Sequence, residues 1–205
     1  EMSQIALPLG AGAHAPSHIV VGAANRTAIE SLSAAAGWPF RTAILLGPPR
    51  SGKSLLTRWF VASGRGEALD DADLMDETEL FHYWNRTQES GVPLLMTTGR
   101  GAGEWIIRLP DLASRLAAAL HLEIGTPDDT MLAELIAVHA EQRGLALGPE
   151  AAAYLAARCE RSHIGVERLV AAIDRISLER KVAPTQGIWR EALEEVLGPS
   201  EPRLL

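Results

Sequence analysis

The stretch "GPPRSGKS", Gly47 to Ser54, decides the fold, because it fits G-x-x-x-x-G-K-[ST] at every fixed position. Its setting fits as well. "RTAILLG" before it is a nearly continuous apolar run, the pattern of a strand buried on both faces. "SGKSLLTRWFVASG" after it reads as an amphipathic helix with Leu55, Leu56, Trp59 and Phe60 on one side. Each fixed position has a physical reason. Gly47 and Gly52 permit backbone angles and close approaches that a side chain would obstruct. The N–H groups of the loop and of the helix N-terminus favour a bound phosphate. Lys53 can reach the outer phosphates of a nucleotide, and the Ser54 hydroxyl can ligate Mg²⁺. The candidate phosphate-side residues are Gly47, Pro48, Arg50, Ser51, Gly52, Lys53, Ser54 and Leu55.

Outward from this motif the chain reads in two textures. Before it, Asn25 is placed to cap a helix from Arg26 to about Gly37. After it come a weak strand ending in acids, "EALDDAD", and a helix, "MDETELFHYWNRTQESG", with Leu80, Phe81 and Trp84 inward. The strand "VPLLMTTG" follows, then a helix from about Pro110 and a strand at about His121 to Ile124. From Thr126, a capping residue before Pro127 and two acids, four segments with helical spacing run to residue 198. The expected architecture is a tail over 1–17, an α/β part over 18–125 with a parallel sheet, an all-helical part over 126–198 and a short tail over 199–205. Asp70 and Asp71 are the natural candidates for the metal side and for polarising water; a solvated acidic turn is the alternative.

Composition bounds the function. Of 205 residues, 47% are hydrophobic and 22% charged, enough apolar material for a core and a small satellite domain. The net charge of −7 argues against a primary nucleic-acid binder, which needs a basic face. The single cysteine, Cys159, excludes a disulfide framework within the chain and suits a reducing compartment. No apolar run reaches membrane-helix length, and the first residues lack the pattern of a signal peptide, so a cytoplasmic protein is expected. The histidines show no metal-ligand spacing.

One stretch remains outside both textures. "QIALPL", Gln4 to Leu9, is apolar and precedes a Gly/Ala/His/Pro/Ser segment. It reads either as a short strand covering the chain's own apolar surface or as an extended docking peptide. In the second reading Gln4 hydrogen-bonds through its amide, while Ile5, Leu7 and Leu9 supply apolar anchors and Pro8 disfavours a helix.

With these stretches placed, the chain resembles the DnaA-related AAA+ ATPases, and within them the Hda-type regulatory inactivators of DnaA. "HIVVGAANRTAIESL" is similar to the adenine-side motif, "GPPRSGKSLL" to the phosphate loop, "ALDDAD" to the magnesium-side acids and "LPDLASRL" to the segment holding an arginine finger. "QIALPL" resembles the sliding-clamp docking motif, and the helical part resembles the AAA+ lid. The resemblance implies a P-loop AAA+ domain followed by a helical lid. Val20, Val21 and Asn25 would flank adenine, and Ser54 and Asp70 would hold Mg²⁺. Asp71 would polarise water, and Arg115 would act in trans as the finger. It implies ATP or ADP as ligand, with the sliding clamp and DnaA as partners and nucleoid or replisome association. A homodimer is an open alternative, and direct sequence-specific DNA binding is not implied.

The departures are specific. The span from Lys53 to Asp70 is short, so a reduced sheet is expected. Thr97 or Thr98 stands at the polar sensor, but Gly99 occupies an acidic family position. Glu167 falls where the lid sensor arginine belongs, with Arg168 one residue on, about 100° around the helix. These losses imply weak intrinsic hydrolysis and a regulator rather than a motor. A clamp-bound adaptor using nucleotide only structurally, and an independent P-loop ATPase, are the alternatives.

Overall fold

The computed structural model describes residues 3–6, as backbone, and residues 18–198. By their contacts these divide into two compact units, one spanning residues 24–125 and the other joining the described residues before 24 to those from 126 to 198.

The 24–125 unit is a four-stranded parallel sheet with helices on both faces. It begins with α1 (Arg26–Ser33) and continues through β3 (Thr42–Leu46), α2 (Lys53–Ala62), β4 (Glu67–Leu69), α3 (Glu77–Ser90), β5 (Leu94–Thr98), α4 (Pro110–Ala117) and β6 (Leu120–Glu123). The strand order is β4-β5-β3-β6. All five residues of β3 and all five of β5 are buried, which explains their unbroken apolar runs: a strand covered on both faces has no polar side to show. Along these strands Ile44, Leu46, Leu94 and Met96 fall on one side of the pleat. They form one core with Leu80 and Trp84 of α3 and Leu112 and Leu116 of α4. α2 packs on β4 and β5, and its Phe60 stacks on Trp38 at a ring separation of 5.4 Å. The short link from α2 to β4 leaves four strands, the reduced sheet expected from the sequence. α3 is capped as its sequence directs: the Asp76 carboxylate accepts from the N–H groups of Thr78 and Glu79, and Gly91 closes it at φ 69°.

The other unit contains β1 (Ser3–Ala6), β2 (His18–Val21) and four helices: α5 (Asp129–Gln142), α6 (Pro149–Ala156), α7 (His163–Arg180) and α8 (Gln186–Leu197). No strand follows residue 125 among the described residues. Its core comes from the inward stripes of the helices, among them Leu132, Ile136, Leu155, Val166, Leu169 and Ile173.

Four sequence expectations change. Residues 18–23, read with the α/β part, belong to the helical unit, because β2 packs on α5. Residues 1–17 are not all tail: Ser3–Ala6 pairs antiparallel with β2, supplying the backbone partners that the buried run Ile19–Val21 requires. The remainder of that tail, including Leu7, Pro8 and Leu9, lies outside the described residues, as does 199–205. α1 ends at Ser33 rather than near Gly37, the chain tightening there into a 3₁₀ turn, and Asn25 sits at its N-cap without a side-chain capping bond. α5 is capped by Asp128 and not Thr126: the Asp128 carboxylate accepts from the N–H of Met131 at 2.8 Å, two residues further along than the Thr-Pro pair suggested.

Candidate nucleotide site and exposed arginine

In a parallel sheet, ligands gather at the carboxyl ends of the strands. Three chemistry-bearing segments of the 24–125 unit meet that description. The 47–52 loop leaves β3 and enters α2, Thr97 and Thr98 end β5, and Asp70 follows β4. The registers Leu45 opposite Thr97 and Leu69 opposite Met96 bring these ends side by side.

The loop is built as its residues require. Gly52 sits at φ 92°, in the left-handed region. At Gly47 a Cβ would come 2.8 Å from the Ser51 hydroxyl and 3.2 Å from Ile124, so a side chain there would force both neighbours to shift. Arg50 also has a positive φ, 59°, so two residues of this short loop hold left-handed backbone. The first-turn N–H groups of α2 have no intrahelical acceptor. Ser51 is 2% exposed and its hydroxyl has no partner among the described residues. Leu55 is half-buried, and Ser54, on the open side of the first turn, is exposed.

Lys53 is folded inward. Its ammonium donates to the carbonyl oxygens of Gly47 at 2.7 Å and Pro48 at 2.8 Å, and the residue is 6% exposed. Burial lowers its pKa below the usual lysine value, while the negative charges of Asp71, Asp70 and Asp73 work in the opposite direction. The lysine therefore stands in the field of all three acids.

Thr97 organises those acids. Its hydroxyl donates to the Asp70 carboxylate at 2.5 Å and accepts from the Asp71 N–H at 2.9 Å. Asp71 itself is left-handed, at φ 49°, an uncommon conformation for a residue with a side chain. Asp73 pairs with the Arg100 guanidinium at 2.9 Å, its side chain is 7% exposed, and its second carboxylate oxygen has no partner among the described residues. The sequence reading places Thr97 only as a sensor and gives Asp73 no role. Their roles depend on the β4–β5 register, which a three-residue strand does not announce.

Arg115 lies on the exposed side of α4, opposite the buried Leu112 and Leu116. No ion pair engages it among the described residues. Its guanidinium lies 4.7 Å from the ring centre of Trp84 and 5.9 Å from that of Phe81. It lines a groove of about 550 Å³ together with Phe40, His82, Asn85 and Gln88. Trp84 reads as core from its spacing and is core, with its indole N–H on Thr42 at 3.0 Å, but its ring also carries the arginine.

The remaining candidates belong to the helical unit or its border. Val20 and Val21 are buried in β2, 4% and 6% exposed. Asn25, beside α1, is 4% exposed. Arg168 is exposed on α7, and the half-buried Glu167 precedes it. Gln4 and Ile5 lie in β1.

No protein-family model matches the chain. Solved structures do. Domain III of the Thermotoga maritima replication initiation protein DnaA superposes with a TM-score of 0.73 at 16% identity, covering 88% of this chain and 95% of that one. The replication initiator DnaA bound to AMPPCP and single-stranded DNA gives 0.64 at 18% identity, covering 86% and 67%. The Thermotoga maritima RuvB Holliday junction branch migration motor gives 0.62 at 17% identity, covering 87% and 72%. The chain therefore has the fold of a P-loop AAA+ domain, a reduced parallel sheet flanked by helices and followed by an all-helical segment consistent with a lid.

Proposed function

We propose that this chain is a nucleotide-binding regulator of replication initiation of the Hda type. It docks on the DNA sliding clamp through Gln4–Leu9 and presents Arg115 to the ATP of a DnaA-type partner. The observation that carries this reading is the state of Arg115: exposed on α4, without an ion-pair partner among the described residues, and with its guanidinium 4.7 Å from the centre of the Trp84 ring. An exposed arginine that no ion pair engages is placed to meet a phosphate from outside, and such a finger accelerates hydrolysis by roughly 10³–10⁵-fold. DnaA bound to the ATP analogue AMPPCP is among the structural neighbours, which supports nucleotide in this chain's loop and a replication role.

The residues fit ATP or ADP with Mg²⁺. The closed approach at Gly47, the unpartnered Ser51 hydroxyl and the first turn of α2 suit phosphate oxygens. Lys53 would exchange the Gly47 and Pro48 carbonyls for those oxygens. Among the described residues no three His, Cys, Asp or Glu side chains form a metal cage, so Mg²⁺ would depend on the phosphates, with Ser54 and Asp70 contributing. Bound Mg²⁺ would supply charge neutralisation between the phosphates. Thr97 occupies one Asp70 oxygen and leaves acceptor capacity on the carboxylate. Asp71 would polarise water. Its left-handed backbone supports weak intrinsic turnover. Among the described residues no helix is long and apolar enough to cross a membrane.

A mixture of sliding clamp, DNA, ATP-loaded DnaA and this chain tests the proposal. Hydrolysis of DnaA-bound ATP should rise at least tenfold with the parent chain and stay at background with Arg115→Ala. Clamp binding without stimulation, or equal stimulation by Arg115→Ala, would refute the finger and favour an adaptor.

A further inference from the structure

β1 contains Gln4 and Ile5, the first part of the docking stretch. It runs antiparallel to β2 with Gln4 opposite Val20, Ile5 opposite Ile19 and Ala6 opposite His18. A strand pairs through the same backbone N–H and C=O groups that an extended peptide offers to a partner. β2 is no loose ribbon: Ile19 and Val20, on opposite faces of the pleat, are each 4% exposed, and β2 packs on α5. The strand paired to it is thereby part of the helical unit.

We propose that β1 is a latch in cis. In the paired state Gln4 and Ile5 are committed to β2. In the released state the backbone of Gln4 and Ile5 is free to pair with a partner instead, and the partner is a protein of the sliding-clamp type. The latch rests on the docking reading above. Four paired residues make a marginal ribbon on their own, so pairing tunes docking and does not abolish it. The apparent affinity falls by the fraction of chains released.

The register supplies the test. Residues directly opposite on antiparallel strands have Cα atoms within disulfide reach. Ala6→Cys with His18→Cys, in a Cys159→Ser background, therefore allows β1 to be locked by oxidation and freed by reduction. Clamp binding is measured for the oxidised and reduced forms and for a synthetic peptide of residues 3–10. The peptide should bind, and the oxidised chain should bind at least ~10-fold more weakly than the reduced one, with full recovery on adding reductant. If the peptide binds while the two redox forms bind equally, the latch is wrong and docking stands. If the peptide does not bind, docking fails and the latch falls with it. Failure of the disulfide to form in the folded chain contradicts the β1–β2 pairing itself.

Discussion

Thr97→Val is a near-isosteric change at a side chain that is 0% exposed. It removes the donor to Asp70 and the acceptor for the Asp71 N–H, the two bonds that tie β5 to the segment after β4. A neutral hydrogen bond contributes about 1 kcal/mol net and one to a charged group about 1.5–3. Asp70 is exposed, so water recovers part of the second term and the sum is about 2 kcal/mol. Thr97→Ser keeps the hydroxyl and loses one buried methyl, about 1 kcal/mol. Guanidinium unfolding followed by tryptophan fluorescence measures both. In a Trp189→Phe background the remaining tryptophans, Trp38, Trp59, Trp84 and Trp105, all report the 24–125 unit. The expected order is parent, then Ser, then Val, with unchanged denaturant slope. Should the Val variant match or exceed the Ser variant, the two hydrogen bonds do not anchor the acids.

Other outcomes follow from the same geometry. Lys53→Ala should leave the fold intact and remove the thermal shift that ADP or ATP gives the parent; an undiminished shift contradicts a phosphate role. Asp71→Gly should relieve the left-handed backbone and raise stability by up to about 1 kcal/mol while abolishing any intrinsic hydrolysis, read by thermal melts and phosphate release. His163 is half-buried near His139, and desolvation lowers its pKa from 6.5 to about 4. Its folded pKa lies below its unfolded one, so the unfolded chain takes up the proton first and stability falls as pH drops from 6.5 towards 4. The full loss is about 3 kcal/mol. His163→Leu should flatten that slope in urea titrations at pH 7 and pH 4.5, and an equally steep slope refutes it.

Much of this was legible because the informative residues act locally. The 47–54 loop names its own conformation: glycines stand where a side chain collides or φ is positive, and a lysine opens the helix. The buried strands β3 and β5 and the four helices after residue 125 follow from apolar patterning in the same way. What escaped depends on partners distant in sequence. Gln4–Leu9 reads from its residues as either a covering strand or a docking peptide, and only the pairing of Ser3–Ala6 with β2 shows the strand. Asp70 and Asp71 are fixed by Thr97, 27 and 26 residues away. The rest on which Arg115 lies comes from Phe81 and Trp84 on another helix, whose spacing says only that they face inward. The candidate site was thus readable as a set of residues, while the contacts that orient them came only with the sheet register.

In the proposed function the arginine of this chain acts on a nucleotide that the chain does not itself hold. The direct measurement loads γ-labelled ATP on the DnaA-type partner alone, adds this chain with clamp and DNA under an excess of unlabelled ATP, and follows release of labelled phosphate. Release from the partner's site should be fast with the parent chain and at background with Arg115→Ala. Release that stays at background with the parent chain, and accelerates only when the label is loaded on this chain instead, would contradict it.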